Sequence, residues 1–249
     1  MRYFIYFSYN GSAYHGWQVQ SNGISVQEVL TNALCTILRE DVDIVGAGRT
    51  DTGVHAKLMV AHFDSINQMV EADNFVRKLN SILPGDIAIE KIVRVKADAH
   101  ARFDALSRKY EYRVYLGKNV FKEKLALRLY HPLNFERMND AAAQLVNFRD
   151  FTSFSKLHTD VKTNNCVVSV ARWEQIGDEW VFGIEADRFL RNMVRSIVGT
   201  LFEVGMEKLT VEGFCQIIEA KDRCKAGVSV PAHGLYLVDI RYPEDIFKF

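Results

Sequence analysis

The feature that most constrains the fold is an order of strand-like and helix-like segments that occurs twice along the chain. Strand-like segments are rich in aromatic and β-branched residues, and helix-like segments repeat apolar residues every three or four positions. In roughly the first hundred residues the order is strand, helix, strand, strand, helix, strand, at residues 3–9, 26–38, 42–45, 57–63, 72–83 and 87–95. Ser25 and Glu28 form a capping box at the start of the first helix. This is the split β-α-β arrangement of ferredoxin-like domains.

The second half of the chain repeats that order with one additional helix. Its predicted strands are residues 108–116, 167–173, 180–185 and 235–242, and its predicted helices are residues 135–146, 189–204 and 210–220. The second and third of these strands form a hairpin across Gly177 and Asp178, and Thr210 opens the last helix. The sequence therefore predicts an α+β fold of two ferredoxin-like (RRM-like) halves, whose antiparallel sheets join into one central sheet. We assign residues 1–105 to an N-terminal domain and residues 106–249 to a C-terminal domain.

Composition limits the classes of function. Of 249 residues, 31 are Lys or Arg and 31 are Asp or Glu. The resulting neutrality argues weakly against a nucleic-acid partner, although the footprint of such a partner is a local patch and not a sum. The four cysteines have no zinc or disulfide spacing, no apolar run is long enough to span a bilayer, and no signal-peptide layout is present. We therefore expect a cytoplasmic protein with reduced thiols.

A glycine-rich loop at residues 46–56 reads GAGRTDTGVHA and contains one carboxylate, Asp51. An aspartate in such a turn is often structural, because its carboxylate bonds nearby backbone N–H groups. Arg49 favours the ionised carboxylate, which is the form that acts as a nucleophile or base. The pattern does not match a dinucleotide-binding motif, since Asp51 replaces the third glycine of G-x-G-x-x-G and no helix follows. The structural and the catalytic interpretations of Asp51 both stay open.

Basic and aromatic residues form a second group of candidates. Arg188, Arg191 and Arg195 are spaced at i, i+3 and i+7, so a continuous helix would place them on one face. That face is either a solvated edge or a phosphate-binding surface, and Arg195 is the one placed to pair with a carboxylate. Arg102 precedes Phe103, and Tyr110 follows two basic residues, arrangements that suit stacking on an unpaired base.

From the residues alone, three classes of function remain. One is a cofactor-free reaction at a sugar or base, and the second is a non-catalytic RNA-binding module in which Asp51 is structural. The third is a carbohydrate-active enzyme, which needs a second catalytic carboxylate. Asp43, Asp64 and Asp104 are the candidates for it. The histidines have no metal-binding spacing, so no metal and no cofactor is expected.

Several motifs, in order along nearly the whole chain, resemble one family. Residues 48–56 (GRTDTGVHA) are similar to the catalytic motif of the TruA-type tRNA pseudouridine synthases. Residues 9–11 with 14–20 (YNG, YHGWQVQ) resemble the N-terminal motif of that family, and residues 108–112 (RKYEY) resemble its tyrosine-bearing strand. Residues 188–199 (RFLRNMVRSIVG) resemble its arginine-bearing helix, and residues 221–223 and 232–237 (KDR, AHGLYL) its C-terminal motifs.

The resemblance implies a function. It implies conversion of uridine to pseudouridine in the anticodon stem-loop of tRNA, around positions 38 to 40 in tRNA numbering, without metal or organic cofactor. Asp51 would be the nucleophile, Tyr110 would stack on the flipped uracil and assist proton removal, and Arg195 would pair with Asp51 and fill the gap left by the base. Arg49, Arg102, Arg188 and Arg191 are the predicted RNA contacts. The family resemblance also implies a homodimer that binds tRNA.

Overall fold

The structure is a computed structural model that describes residues 1–72, 74–156 and 163–248. It contains two compact units, one formed by Met1–Leu106 with Tyr236–Phe249 and the other by Ser107–Leu235. Across the described residues there are nine β-strands and five α-helices, which confirms the predicted α+β class. In the part of the chain so described, none of the helices has the length and apolarity that crossing a membrane requires.

The first unit has the predicted element order. Its elements are β1 (Arg2–Tyr9), α1 (Val26–Leu38), β2 (Ile44–Gly46), β3 (His55–Asp64), α2 (Phe75–Ile82), β4 (Ile87–Val95) and most of β9 (Leu235–Arg241). The strand order is β4-β1-β3-β9, with β2 paired to the far end of β3. β1 pairs antiparallel with both neighbours, whereas β9 runs parallel to β3, so this sheet is mixed.

Local sequence accounts for the frame of the first unit. β1 is central and most of its residues are buried, which is why it reads as an almost continuous apolar run. α1 begins at the predicted capping box, in which the Ser25 side chain accepts a hydrogen bond from the Glu28 N–H at 3.2 Å. α2 begins at Phe75, three residues later than predicted, and a short 3-10 turn precedes it.

The second unit consists of a smaller sheet with three helices. Its elements are β5 (Ser107–Leu116), β6 (Leu127–Leu129), α3 (Phe135–Gln144), β7 (Val168–Ile176), β8 (Glu179–Ala186), α4 (Met193–Gly205) and α5 (Val211–Glu219). The strand order is β5-β8-β7, and the predicted hairpin turns at Gly177 and Asp178. β6, which the sequence did not indicate, pairs in parallel with the end of β5.

The start of α4 corrects one prediction. Residues 189–192 are not helical, because Asn192 has a left-handed φ of 68° and the helix begins at Met193. The Asp187 carboxylate accepts the N–H groups of Val167 and Arg188, both at 2.7 Å, and so holds the preceding segment outside the helix. The prediction that Arg188, Arg191 and Arg195 share one helix face was therefore wrong, since only Arg195 lies on α4.

The segment Tyr236–Phe249 belongs to the first unit, whereas the sequence assigned those residues to the C-terminal domain. The reason is a pairing between distant parts of the chain. In the parallel β3–β9 ladder, His55 pairs with Tyr236 and Ala56 pairs with Leu237. The assignment of residues 1–105 and 106–249 as two domains stays a prediction.

Candidate active site

Asp51 lies in the loop between β2 and β3 and is half-buried. The N–H of Val54 donates to the Asp51 carbonyl at 3.1 Å, closing a tight turn. Gly53, the third residue of that turn, has a φ of +79°, a conformation that favours glycine at this position. Arg49 is exposed on the same loop. The carboxylate is therefore presented from a turn of defined shape.

Residues 9–17 hold this loop in place through hydrogen bonds. The Tyr9 hydroxyl and the Thr50 Oγ1 are 2.8 Å apart, and the Trp17 N–H donates to the Thr50 carbonyl at 3.3 Å. The Gly53 N–H donates to the Tyr14 carbonyl, also at 3.3 Å. Two of these three bonds act on Thr50, the immediate neighbour of Asp51. The N-terminal motif thus supports the loop that carries Asp51 through hydrogen bonds.

Two glycines show which side of the loop is packed and which is open. Gly16 has a φ of +87°, and a Cβ there would lie 2.3 Å from the Thr50 carbonyl oxygen. A Cβ on Gly48 would meet no atom within 4 Å among the described residues. The loop is therefore packed tightly against residues 9–17, while the space beside Gly48 is open.

Tyr110 and Tyr112 on β5 have different environments in the second unit. Tyr112 is fully buried, and its hydroxyl donates to the Pro231 carbonyl at 2.8 Å. Burial raises the pKa of the Tyr112 phenol, so this hydroxyl remains a donor. Tyr110 is half-buried, and the Phe189 ring meets it edge-on with centroids 5.0 Å apart. Tyr112 is therefore a packing residue of the core, whereas Tyr110 keeps an accessible surface.

Arg195 is half-buried near the start of α4. Its Nε donates to the Val230 carbonyl at 2.7 Å, and the Val230 N–H donates to the Arg195 carbonyl at 3.2 Å. The Nε bond orients the guanidinium group, and the backbone bond ties Val230 to α4. A guanidinium has five N–H donors, of which Nε carries one and the two Nη groups carry four. The segment at Val230 and Pro231 thus holds both Arg195 and Tyr112.

Arg102 lies on a turn that the side chains of two histidines organise. The Ala101 N–H donates to His62 Nδ1 at 3.1 Å, and the Arg102 N–H donates to His100 Nδ1 at 3.1 Å. The guanidinium of Arg102 lies over the Phe103 ring, 5.7 Å from its centroid. Phe103 is 75% exposed. The turn is ordered by its own hydrogen bonds and presents an arginine and an aromatic ring.

The predicted site residues fall into separate groups. Asp51 and Arg49 share one loop, which leads into β3 at His55. The turn with Arg102 is bonded to His62, seven residues further along β3, which corresponds to about 23 Å. Arg191 is exposed and Arg188 half-buried, both ahead of α4 in the second unit. The meeting of Asp51 with Tyr110 and Arg195 stays a prediction.

The candidates for a second catalytic carboxylate lie at the wrong end of β3. Asp64 ends that strand and pairs with Arg2 at 2.7 Å, nine residues from His55, which corresponds to about 30 Å. Asp43 directly precedes the strand that pairs with this same end. Asp104 accepts the His100 N–H at 2.7 Å. Glycosidases hold their two carboxylates within about 10 Å, so these three do not complete such a pair with Asp51.

The role of some residues that support the loop could not be predicted, although they lie within the motifs at residues 9–11 and 48–56. The Tyr9–Thr50 hydrogen bond joins a strand residue to a loop residue 41 positions away. His55 is 1% exposed and accepts a hydrogen bond from the backbone of Gly11. Tyrosine in a strand and histidine after a glycine turn are both common, so neither pattern points to a partner so distant in sequence.

Comparison with known proteins assigns the family. A sequence model described as tRNA pseudouridine synthase matches residues 5–104 and 141–243. The chain belongs to this family. Such enzymes are isomerases, as the resemblance of residues 48–56 had implied. Asp51 and Arg195 lie within the matched ranges, and Tyr110 lies in the interval between them.

Full-length relatives agree with the family assignment. The chain is 56% identical over 248 residues to tRNA pseudouridine synthase A of Bacteroides fragilis, covering 99% of this chain and 98% of the relative. It is 58% identical over 250 residues to the protein of that name from Bacteroides thetaiotaomicron, with 99% and 93% covered. A Thermoanaerobacter protein of the same name is 39% identical over 241 residues, with 96% and 98% covered.

Proposed function

We propose that this chain converts uridine to pseudouridine in the anticodon stem-loop of tRNA, around positions 38 to 40, with Asp51 as the nucleophile. The observation that carries the proposal is the Asp51 turn, closed by the Val54 N–H and held through Thr50 and Gly53 by residues 9–17. A reactive carboxylate needs a fixed position relative to the substrate, because misplacement removes the advantage of proximity. Membership of the tRNA pseudouridine synthase family supports the reaction class.

The reaction balances as an isomerisation. Asp51 attacks either the uracil ring or ribose C1′, and the bond between uracil N1 and C1′ breaks. The uracil turns, C5 bonds to C1′, the bond to Asp51 breaks and frees its carboxylate, C5 loses its proton and N1 gains one. No atom or electron is gained or lost, so the chemistry requires a nucleophile and a route for one proton. Asp51 supplies the nucleophile, and Tyr110 is the proposed aid to proton removal.

The target base must leave its stack to reach Asp51. Extruding a base costs about a few kcal/mol, and stacking on an aromatic ring returns about 1–3 kcal/mol. Tyr110 is the proposed stacking partner. Phe189 supports this role, since its edge-on contact at 5.0 Å limits rotation of the Tyr110 ring. In the RNA-bound protein Arg195 pairs with Asp51 and fills the gap that the base leaves, its guanidinium oriented by the Val230 carbonyl.

Four other arginines are the proposed RNA contacts. Arg49, Arg102 and Arg191 are exposed, and Arg188 is half-buried. They lie on three separate loops, with Arg188 and Arg191 on the same one, which suits a long substrate that touches several places. Phosphate contacts of this kind make binding weaker as salt concentration rises. The proposal includes a homodimer in the cytoplasm, with tRNA as its partner.

The test compares two aspartates of the same unit. Asp51→Asn keeps the side-chain shape and removes the nucleophilic carboxylate, while Asp43→Asn makes the same change at an exposed position just before β2. Anticodon-arm RNA labelled with tritium at uridine C5 reports turnover, because the C5 hydrogen is released to water. We expect Asp51→Asn to lower the rate at least about a thousandfold with RNA binding retained.

The control and the competing function give distinct outcomes. Asp43→Asn should release tritium at the wild-type rate. Activity of Asp51→Asn within about tenfold of wild type would rule out the nucleophile role. A wild-type protein that binds the RNA and releases no tritium would instead support the non-catalytic RNA-binding module.

A further inference from the structure

His55 is a buried polar residue four positions after Asp51 and the first residue of β3. Its side chain is 1% exposed, and its Nδ1 accepts the N–H of Gly11 at 3.1 Å. The imidazole stacks on the Tyr236 ring, with centroids 4.6 Å apart and planes inclined by 22°. All of these residues belong to the first unit. The ring is thus held between a backbone amide and an aromatic face.

The bond from Gly11 determines the proton arrangement of the imidazole. A ring nitrogen accepts a hydrogen bond only when it carries no proton, and a neutral imidazole then carries its single proton on the other nitrogen. His55 therefore has an unprotonated Nδ1 and a protonated Nε2. Protonation at Nδ1 would set two N–H groups against each other in a buried site.

Gly11 links this ring to the turn that presents Asp51. A Cβ added to Gly11 would lie 2.0 Å from the Val54 carbonyl oxygen, so the two backbones are in direct contact. Val54 closes the turn through its N–H bond to the Asp51 carbonyl. A displacement of Gly11 away from His55 therefore changes the support beneath this turn.

His55 is anchored where the sheet is paired on both sides. In β3, His55 is aligned with Tyr236 of β9 and its neighbour Ala56 with Tyr9 of β1. The hydrogen bond to Gly11 therefore ties a loop to a rigid frame. The bond that the Tyr14 carbonyl accepts from Gly53 and the bond that the Trp17 N–H donates to Thr50, in contrast, join one loop to another.

We infer that His55 is a positioning residue for Asp51, acting as a neutral imidazole that fixes Gly11 and, through it, the Asp51 turn. This inference rests on the proposed function, in which Asp51 is the nucleophile. Because His55 acts through the turn and not on RNA, its loss lowers kcat and leaves the KM for tRNA nearly unchanged. A displacement of about 1 Å at a reacting group costs up to about a hundredfold in rate.

Two amide substitutions separate the hydrogen bond from the ring. His55→Asn places its side-chain oxygen near the position of Nδ1, where it can accept the Gly11 N–H. His55→Gln extends its amide towards the position of Nε2 and leaves Nδ1 without a replacement. Both variants lose the stacking on Tyr236, so they are matched in that respect. We expect His55→Asn to keep kcat within about threefold of wild type and His55→Gln to lose at least about tenfold.

The outcomes distinguish the inference from the proposed function. Equal kcat values for the two variants, or a loss confined to KM, would overturn the positioning role while leaving the Asp51 chemistry in place. A wild-type protein that makes no pseudouridine would overturn the proposed function and the positioning role with it.

A second measurement is independent of activity. In uniformly ¹⁵N-labelled wild-type protein, the ring-nitrogen spectrum of His55 should show an unprotonated Nδ1 and a protonated Nε2 between about pH 6 and about pH 8. The Gly11 amide should exchange slowly with solvent in the wild type and in His55→Asn, and faster in His55→Gln. A protonated Nδ1, or a Gly11 amide that exchanges equally in all three proteins, would refute the inference.

Discussion

His62 provides a pH-dependent test of the turn that presents Arg102. His62 is 6% exposed on β3, and its Nδ1 accepts the Ala101 N–H at 3.1 Å. Its ring lies against that of His100, with centroids 4.6 Å apart. Burial, followed by the charges of His100 and Arg2, lowers the pKa of His62 from 6.5 to about 4. The folded protein therefore binds this proton far less readily than the unfolded chain.

The sign and size of the effect follow from that difference. Between about pH 6.5 and about pH 4 the unfolded chain holds a proton on His62 that the folded protein lacks, so the free energy of unfolding falls as pH decreases through this range. The His62 contribution is fully present above the unfolded pKa and is lost towards the folded one. It amounts to about 3 kcal/mol at most. Asp64 and Asp104 act in the opposite direction, and their effect is already included in the pKa of about 4.

The assay is urea unfolding of wild type and His62→Asn at steps from about pH 7.5 to about pH 4.5. The asparagine oxygen can accept the Ala101 N–H and does not titrate. We expect the stability of the wild type to fall more steeply with decreasing pH, by about 1–3 kcal/mol over the range. His100, whose pKa burial also lowers, remains in both proteins, so the difference between them isolates His62. Parallel curves for the two proteins would refute the reasoning.

Two further predictions concern the backbone that supports the site residues. The buried Thr200 Oγ1 accepts the Gly227 N–H at 2.9 Å. In urea unfolding we expect Thr200→Val to lower the free energy of unfolding by about 1–3 kcal/mol, and Thr200→Ser, which keeps the hydroxyl, to retain most of the wild-type stability. Gly16→Ala, with its Cβ 2.3 Å from the Thr50 carbonyl oxygen, should cost about 2 kcal/mol or more in thermal unfolding, whereas Gly48→Ala should change stability by less than about 0.5 kcal/mol. Equal effects within either pair would contradict the packing described above.

Local patterns were enough to predict much of the fold. The capping box at Ser25, the hairpin at Gly177 and the N-cap at Thr210 each depend on residues within three positions of one another, and the structure has all three. The element order of the first unit follows from the periods of apolar residues. These features are predictable because the hydrogen bonds that form them are local.

Features that depend on distant partners could not be predicted in this way. The parallel pairing of β9 with β3 joins residues about 180 positions apart in the sequence, and β6 is only three residues long. The late start of α4 depends on the left-handed Asn192 and on the Asp187 carboxylate, which accepts the Arg188 N–H, although the apolar residues ahead of α4 continue the helical period. At the site, Asp51 was recognisable from its loop. Its support through Tyr9 and Gly11 was not, because the motif at residues 9–11 does not indicate which distant groups these residues bind.

The same reasoning explains why a loop with one carboxylate needs support from several residues that are not themselves reactive. Glycines at the loop bring backbone groups together, and each contact restricts the Asp51 turn from beneath: Thr50 through Tyr9, Gly53 through Tyr14, and Val54 against Gly11. In the proposed function, the flipped nucleotide would approach the loop from the open side at Gly48. We therefore expect substitutions beneath the loop to alter kcat before they alter RNA binding, and substitutions of the exposed arginines to do the reverse.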